Sequence, residues 1–327
     1  MHEFTRLSGW ILLTGLLLQA RINAGAQTKP MFSQYNFNML TLNPAYAGNR
    51  SNLSLNAIYR RQWIGMDGAP DTWMVSADGK LNAVNSASYG IQLYNDQLGI
   101  EKSTGIQAYY SHHIALSPVN DDNAGNEEGT TLSVGLGFGI MNYSADFTKL
   151  NAVQSGDPRL TLVNGYTPTA GFGILVHSYK WYVGVSAPSL LRSKVNNDHT
   201  ANVSSLLDYN ELFMIAGYVL GGEHDAVKIK PSVLLKVAQG APLQCDFSLN
   251  AWFNNYFMAG LSYRTKDAIV GMVELQTGSS LRIGYSYDYT TSNLSSYNSG
   301  THEIMLRYEI LTGKKNGYIA SPPIRYY

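Results

Sequence analysis

The chain has 327 residues, and its 23 Lys and Arg balance 23 Asp and Glu, so the formal net charge is zero. The lack of a basic surplus argues against nucleic acid as a partner. A single cysteine, Cys245, excludes an internal disulfide. Charged residues make up 14% of the chain, against about 25% in soluble domains. Tyr (23 residues) and Gly (31 residues) are abundant, which is typical of a barrel in a lipid bilayer.

The first 26 residues predict a cleaved secretion signal. Arg6 precedes an uncharged apolar run, and Ala24-Gly25-Ala26 fits the small-x-small cleavage pattern before Gln27. The alternative is a membrane anchor, which needs roughly 20 apolar residues, and the run from Trp10 to Leu18 is shorter. We therefore expect export through the Sec pathway. The predicted divisions are a signal at 1–26, an N-terminal plug-like segment at 27–52, a barrel at 53–310 and a periplasmic tail at 311–327.

The segment that follows the signal is rich in aromatic residues and asparagine. Its Met31–Met39 stretch carries three aromatic residues and two methionines, which an exposed linker would not carry. Two interpretations remain open: a plug in the periplasmic mouth of the barrel, or a docking strip for a periplasmic partner. The plug is favoured because buried aromatic side chains most often pack within their own chain. The candidate residues for either role are Met31, Phe32, Gln34, Tyr35, Asn43, Pro44 and Tyr46.

From residue 53 onward, large apolar residues alternate with small or polar ones, which is the period of a β-strand. Between Thr131 and Ile140 every even position is large and apolar, whereas the odd positions are Thr, Ser or Gly. The alternation predicts an all-β, transmembrane antiparallel barrel of about fourteen strands, an even number as in bacterial single-chain barrels. The expected strands are 53–62, 70–78, 86–95, 103–116, 129–143, 168–176, 180–186, 211–219, 226–237, 242–253, 256–264, 268–277, 280–289 and 301–310.

The alternation also sorts side chains into a lipid face and a lumen face. An Arg or Lys at the bilayer midplane costs about 2–4 kcal/mol on the lipid face, so we expect the charged faces to line the lumen and to pair there. A lumen with both signs of charge favours a filled barrel over an open pore. The bare face of Gly135, Gly137 and Gly139 predicts that another element packs closely inside. The predicted lumen charges are Lys228, Lys230, Lys236, Asp246, Arg282, Asp288, Glu303 and Arg307.

Connection lengths predict an orientation, since outer-membrane barrels have short periplasmic turns and longer outer loops. With an even strand number, segments 144–167, 187–210 and 290–300 fall on the outside. The polar segment 121–129 falls on the inside against this rule. Either it is an exception or the strand count is wrong before it.

The sequence contains no GxSxG, HExxH, paired CxxC or Walker A motif. His112 and His113 are adjacent, so they point to opposite faces of a strand and cannot share a site. We therefore expect no enzyme, no cofactor and no metal site.

Phe32-Ser33-Gln34-Tyr35 followed by Asn43-Pro44-Ala45-Tyr46-Ala47-Gly48 resembles the start of the PorP/SprF family of type IX secretion membrane proteins. The resemblance implies a non-enzymatic outer-membrane barrel of the Bacteroidota secretion and gliding machinery. It also implies partners, namely periplasmic ring or motor components and a secreted, adhesin-like cargo. The further matching stretches are Tyr59-Arg60-Arg61-Gln62-Trp63, Gly68-Ala69-Pro70, Ser186-Ala187-Pro188, Tyr263-Arg264, Tyr285-Ser286-Tyr287-Asp288 and His302 to Tyr308.

The expected function is therefore a type IX secretion component whose outer loops 144–167 and 187–210 face the cargo. The alternative is a general diffusion porin or uptake barrel, which predicts an open lumen. A barrel hydrolase and a soluble β-rich periplasmic protein are further possibilities. The soluble protein would need its apolar faces to be buried.

Overall fold

The computed structural model describes residues 31–50, 53–80, 86–117, 129–149, 161–191, 211–222, 225–238, 241–278 and 280–310. The predicted signal (1–26) and the predicted tail (311–327) lie outside these ranges. Most of segment 121–129, residues 150–160 of the first long predicted loop and residues 192–210 of the second also lie outside them. No helix in the described ranges is long and apolar enough to span a bilayer.

Fourteen antiparallel strands close into one barrel, with each strand beside its neighbours in the chain and β1 beside β14. The predicted fold class and strand number are confirmed. The strands are β1 (Leu53–Arg61), β2 (Asp71–Lys80), β3 (Ala87–Leu98), β4 (Glu101–Ala115), β5 (Thr131–Asp146), β6 (Leu162–His177), β7 (Trp181–Ser189), β8 (Glu211–Tyr218), β9 (Val227–Ala238), β10 (Gln244–Phe253), β11 (Phe257–Arg264), β12 (Ala268–Thr277), β13 (Leu281–Thr290) and β14 (Thr301–Ile310).

The start of β6 differs most from the prediction, since the strand begins at Leu162 rather than at 168. Gly165 and Pro168 interrupt the apolar alternation there, so the sequence indicates a loop. Pro168 nevertheless pairs with Ile140 of β5. The Ala170 carbonyl accepts a hydrogen bond from the Leu190 N–H, so the backbone groups of Ala170 point away from β5. Pro168 lies two residues before Ala170 and points to the same side. The N–H that Pro168 lacks would therefore have pointed away from β5. No hydrogen bond of the β5 ladder is lost.

The outward face of the barrel is apolar. In β5 the predicted lipid-facing residues Leu136, Phe138 and Ile140 are exposed, whereas Gly135 and Gly137, which alternate with them, are buried. Such a continuous exposed apolar surface is unfavourable in water and fits the hydrocarbon of a bilayer. It therefore argues against the soluble periplasmic alternative.

The two ends of the barrel differ in the length of their connections. We call the end where β1 begins and β14 ends the first end, and the other the opposite end. The turns 178–180, 254–256 and 278–280 lie at the first end, whereas connections 147–161 and 190–210 lie at the opposite end. The long connection 116–130 joins β4 to β5 at the first end. Because the strand count is correct, this connection is an exception to the length rule.

Candidate functional site

Residues 31–50, which we call the lumen segment, lie inside the barrel. Every residue of the segment is buried except Thr41, which is half-buried. Three short 3-10 turns fold it, at Tyr35–Phe37, Met39–Thr41 and Pro44–Tyr46. The third turn begins with Asn43, whose side-chain oxygen accepts the Ala45 N–H at 2.9 Å, as at the start of a longer helix. The residues named above for a plug or docking strip are therefore covered by the chain's own barrel.

The lumen segment runs along most of the barrel. Near its start, Ser33 donates its N–H to Glu303 at 2.9 Å, and Glu303 is close to the start of β14 at the opposite end. Near its finish, Gly48 donates its N–H to Asp78 at 2.9 Å and Arg50 contacts Glu309 at 3.0 Å. These last two carboxylates lie near the first end. The expectation of a segment confined to the periplasmic mouth is therefore wrong, since alternation gives no position along the barrel axis.

Bare positions on the wall receive the segment's backbone. A Cβ added at Gly135 would overlap Pro44 and Ala45, and a Cβ added at Gly173 would overlap the Asn43 side chain. The prediction of close packing on the β5 glycine face is confirmed at Gly135. At Gly137 the nearest neighbour is the Tyr109 ring, with Pro44 of the segment also in contact, whereas Gly139 lies beside Ile106 and Gln107 of β4.

A buried charge cluster holds the start of the segment. Arg60 of β1 donates to Asp288 at 2.8 Å and to Glu303 at 2.9 Å. Glu303 also accepts the Gln34 N–H at 2.8 Å, in addition to that of Ser33. The Ser33 hydroxyl donates to Asp288 at 2.6 Å and accepts from Arg60 at 3.0 Å. Hydrogen bonds to ionised groups are roughly twice as strong as neutral ones, so this cluster anchors the segment firmly.

The ion pairs of the wall extend around the lumen. Arg264 of β11 contacts Asp246 at 3.0 Å and the Asp288 of the anchoring cluster at 3.5 Å. Elsewhere, Arg282 contacts Glu274 at 2.7 Å, and Lys236 contacts Glu211 at 2.8 Å.

The eight charges predicted for the lumen are all buried. Five of them pair with residues outside the predicted set of lumen charges rather than with one another, namely Lys236, Asp246, Arg282, Asp288 and Glu303. A residue-by-residue use of strand parity would have found these partners. Those missed partners are Arg60, Arg264 and Glu274, together with Glu211 for Lys236.

The remaining three predicted charges contact amides, carbonyls and rings. Lys230 donates to the Asn36 side chain at 3.3 Å and lies 5.4 Å from the centre of the Trp252 ring. Arg307 donates to Asn56 at 2.9 Å and to the Phe37 carbonyl. Lys228, near the first end, donates to the Asn255 side chain at 3.0 Å. Two of the three therefore bind the lumen segment, and the third fixes a turn.

A cavity of about 80 Å³ remains beside the segment, and its lining includes Met31, Phe32, Tyr94, Phe213 and the Lys236–Glu211 pair. Among the described residues no group of three metal-binding side chains is present. The arrangement is therefore one that binds a peptide segment through charge and close packing.

Solved outer-membrane barrels share this architecture at low sequence identity. Omp33 from Acinetobacter baumannii is 6% identical, with a TM-score of 0.45, and the match covers 80% of this chain and 100% of that chain. The toluene transporter TbuX from Ralstonia pickettii is 10% identical, with a TM-score of 0.45 and coverage of 89% and 96%. Outer membrane phospholipase A from Escherichia coli is 9% identical, with a TM-score of 0.34 and coverage of 80% and 98%.

At these identities the likeness concerns the fold alone. No curated protein sequence matches the chain. A family profile, described as the type IX secretion system membrane protein PorP/SprF, matches residues 24–308. That match spans the lumen segment and nearly the whole barrel. The chain is therefore an outer-membrane β-barrel and belongs to the PorP/SprF family of type IX secretion system membrane proteins.

Proposed function

We propose that this barrel is a non-enzymatic platform of the type IX secretion machinery that supports the export or surface anchoring of a secreted, adhesin-like protein. The observation that carries the proposal is the lumen segment, which is buried along the barrel and bonded to its wall. A lumen occupied in this way suits a barrel that binds partners at its ends. The assignment to type IX secretion rests on the family to which the chain belongs.

The proposed orientation follows from the connections and the strand number. An even number of strands leaves both chain ends of the barrel on the periplasmic side, so the first end faces the periplasmic ring and motor components. The opposite end, with connections 147–161 and 190–210, faces the secreted protein. The long connection 116–130 then adds a periplasmic surface for the ring components.

The diffusion-porin alternative requires an open, water-filled lumen. In this chain the Arg60 guanidinium and the carboxylates of Asp288 and Glu303 bind one another and Ser33. Charges that lined a pore would instead face water and permeating ions. The lumen segment therefore favours the platform over the porin.

The hydrolase alternative needs a histidine that activates a serine. His113 contacts the Ser133 hydroxyl at 2.7 Å through one ring nitrogen and the Ala47 carbonyl at 3.0 Å through the other. A catalytic histidine uses its second nitrogen for an orienting side chain, most often a carboxylate, whereas this one binds a backbone carbonyl of the lumen segment. Both His113 and Ser133 are buried. The contact therefore supports a structural role for His113.

Deletion of the gene in its host tests the proposal. We expect the loss of one or a few large surface proteins, measured by protease shaving of intact cells and mass spectrometry. Expression of the wild-type chain should restore them. Unchanged display of every large surface protein in the deletion strain would contradict the proposal.

A further inference from the structure

Two cations of the strands point outward, toward the membrane. They are Arg61, the last residue of β1, and Lys102, the second residue of β4, and both are exposed. Every other arginine and lysine within the described strands has the parity of the lumen face. Both outward cations lie at the opposite end of the barrel. A cation on the lipid face is strongly penalised at the midplane and little penalised near the headgroups, so these two mark the headgroup layer of one leaflet.

Direct cross-strand pairing arranges the outward side chains around these cations in three rows across β1–β4. The first row is apolar, the second carries two aromatic rings, an amide and a hydroxyl, and the third carries both cations. From β1 to β4 the rows are Ala57, Val75, Leu93 and Ile106; then Tyr59, Trp73, Asn95 and Thr104; then Arg61, Asp71, Gln97 and Lys102. The polarity of this face therefore rises in steps toward the opposite end.

The first two rows match two layers of a lipid. The large side chains of the first row are exposed, as contact with acyl chains requires. Tyr59 and Trp73 are direct partners in the second row and are each 42% exposed. Such rings prefer the interface between hydrocarbon and headgroups, and their flat apolar faces pack against sugar rings. Beside them the Asn95 amide donates to the Thr104 hydroxyl at 2.7 Å, which places two polar side chains level with the rings.

The third row provides positive charge at two separate points. Arg61 and Lys102 lie three strands apart, or about 14 Å along the wall. Asp71 stands between them and accepts the Tyr59 hydroxyl at 2.6 Å. Within the described part of the chain no ion pair joins Arg61 or Lys102 to a carboxylate. Arginine and lysine both bind phosphate oxygens through charge-assisted hydrogen bonds, so the row suits an anion with two well-separated phosphates.

We propose that the outward face of β1–β4 at the opposite end binds a phosphorylated glycolipid of the outer leaflet. The outer leaflet of a bacterial outer membrane contains lipids whose headgroup is a glucosamine disaccharide with phosphate at its ends. The acyl chains would lie on the first row, the sugar rings on Tyr59 and Trp73, and the phosphates at Arg61 and Lys102. This inference rests on the proposed orientation of the barrel and is independent of its role in secretion.

Native mass spectrometry of the purified barrel in detergent, titrated with diphosphorylated lipid A, measures this binding. The double variant Arg61→Gln, Lys102→Gln removes both charges from outward positions and leaves the lumen unchanged. We expect it to bind roughly 25-fold more weakly, because each Lys or Arg near an anionic lipid surface contributes about fivefold. The matched control is Lys266→Gln, which removes an exposed cation from the turn between β11 and β12 at the same end and should bind as the wild type does.

Heat-modifiable migration confirms that each variant is folded. Equal affinity of the wild type and the folded double variant would overturn the proposal. Equal binding of phosphatidylglycerol, which has one phosphate and no sugar, would also overturn it, because the cations would then attract any anionic lipid. Trp73→Leu tests the sugar layer and should weaken the binding of lipid A while leaving that of phosphatidylglycerol unchanged. Because the assay uses the purified barrel alone, its failure would leave the proposed role in secretion intact.

Discussion

Glu303 provides the sharpest test of how the lumen segment is held. Its carboxylate accepts the N–H groups of Ser33 at 2.9 Å and Gln34 at 2.8 Å, and it contacts Arg60 at 2.9 Å. In Glu303→Gln one carboxylate oxygen is replaced by an NH2 group, which cannot accept a hydrogen bond from the Ser33 N–H, the Gln34 N–H or Arg60. At least one charge-assisted hydrogen bond is lost, each contributing about 1.5–3 kcal/mol. We therefore expect the equilibrium for release of the segment to rise about 10- to 100-fold, since 1.4 kcal/mol is a factor of ten.

Hydrogen exchange of the purified barrel in detergent, followed by mass spectrometry of peptides from residues 31–50, measures this release. We expect faster exchange in Glu303→Gln at unchanged strand protection. Glu274→Gln is the matched control, because Glu274 is also buried on the wall and contacts Arg282 at 2.7 Å. Identical exchange of the segment in the wild type and in both variants would refute the anchoring role of the cluster.

Three further predictions follow from the same structure. The leucine side chain of Gly135→Leu would overlap the lumen segment, so this variant should displace the segment at a cost of about 1–3 kcal/mol and raise ion conductance in planar bilayers. The control Gly271→Leu should leave the conductance unchanged, because nothing lies within 4 Å of a Cβ at that position. Phe138→Lys on the lipid face should lower the free energy of unfolding in liposomes by about 2–4 kcal/mol, as measured by urea titration. An epitope inserted directly before Met31 should bind antibody on intact cells, whereas one placed after Ile310 should bind only after permeabilisation.

The strands and their faces were predictable because both depend on local sequence. A charged side chain toward lipid is penalised wherever it occurs, so alternation alone separates Lys228 and Lys230 from their apolar neighbours. The ion pairs were less predictable, because each joins residues that are distant in the chain. Arg60 illustrates this. It is adjacent to Arg61, and only the closure of β1 against β14 brings Arg60 opposite Glu303.

The alternation of apolar and polar residues could not predict where the lumen segment lies, for a different reason. The segment contains no strand, so no period assigns its residues to a face or a depth. Its composition indicated burial, and the glycines of β5 indicated a close neighbour. Only the pairing of its backbone with Glu303 at one end and Asp78 at the other fixes its direction.

The location of the anchoring cluster links the segment to closure of the barrel. Arg60 belongs to β1, Glu303 to β14 and Asp288 to β13, so the cluster crosses the seam where the first strand meets the last. In a barrel closed without the segment these charges would face water in the lumen, and the hydrogen bonds from Ser33 and Gln34 would be missing. The segment is continuous with β1 and runs along most of the lumen, so seating it after closure would require threading. The same charges therefore favour closing the seam around the segment.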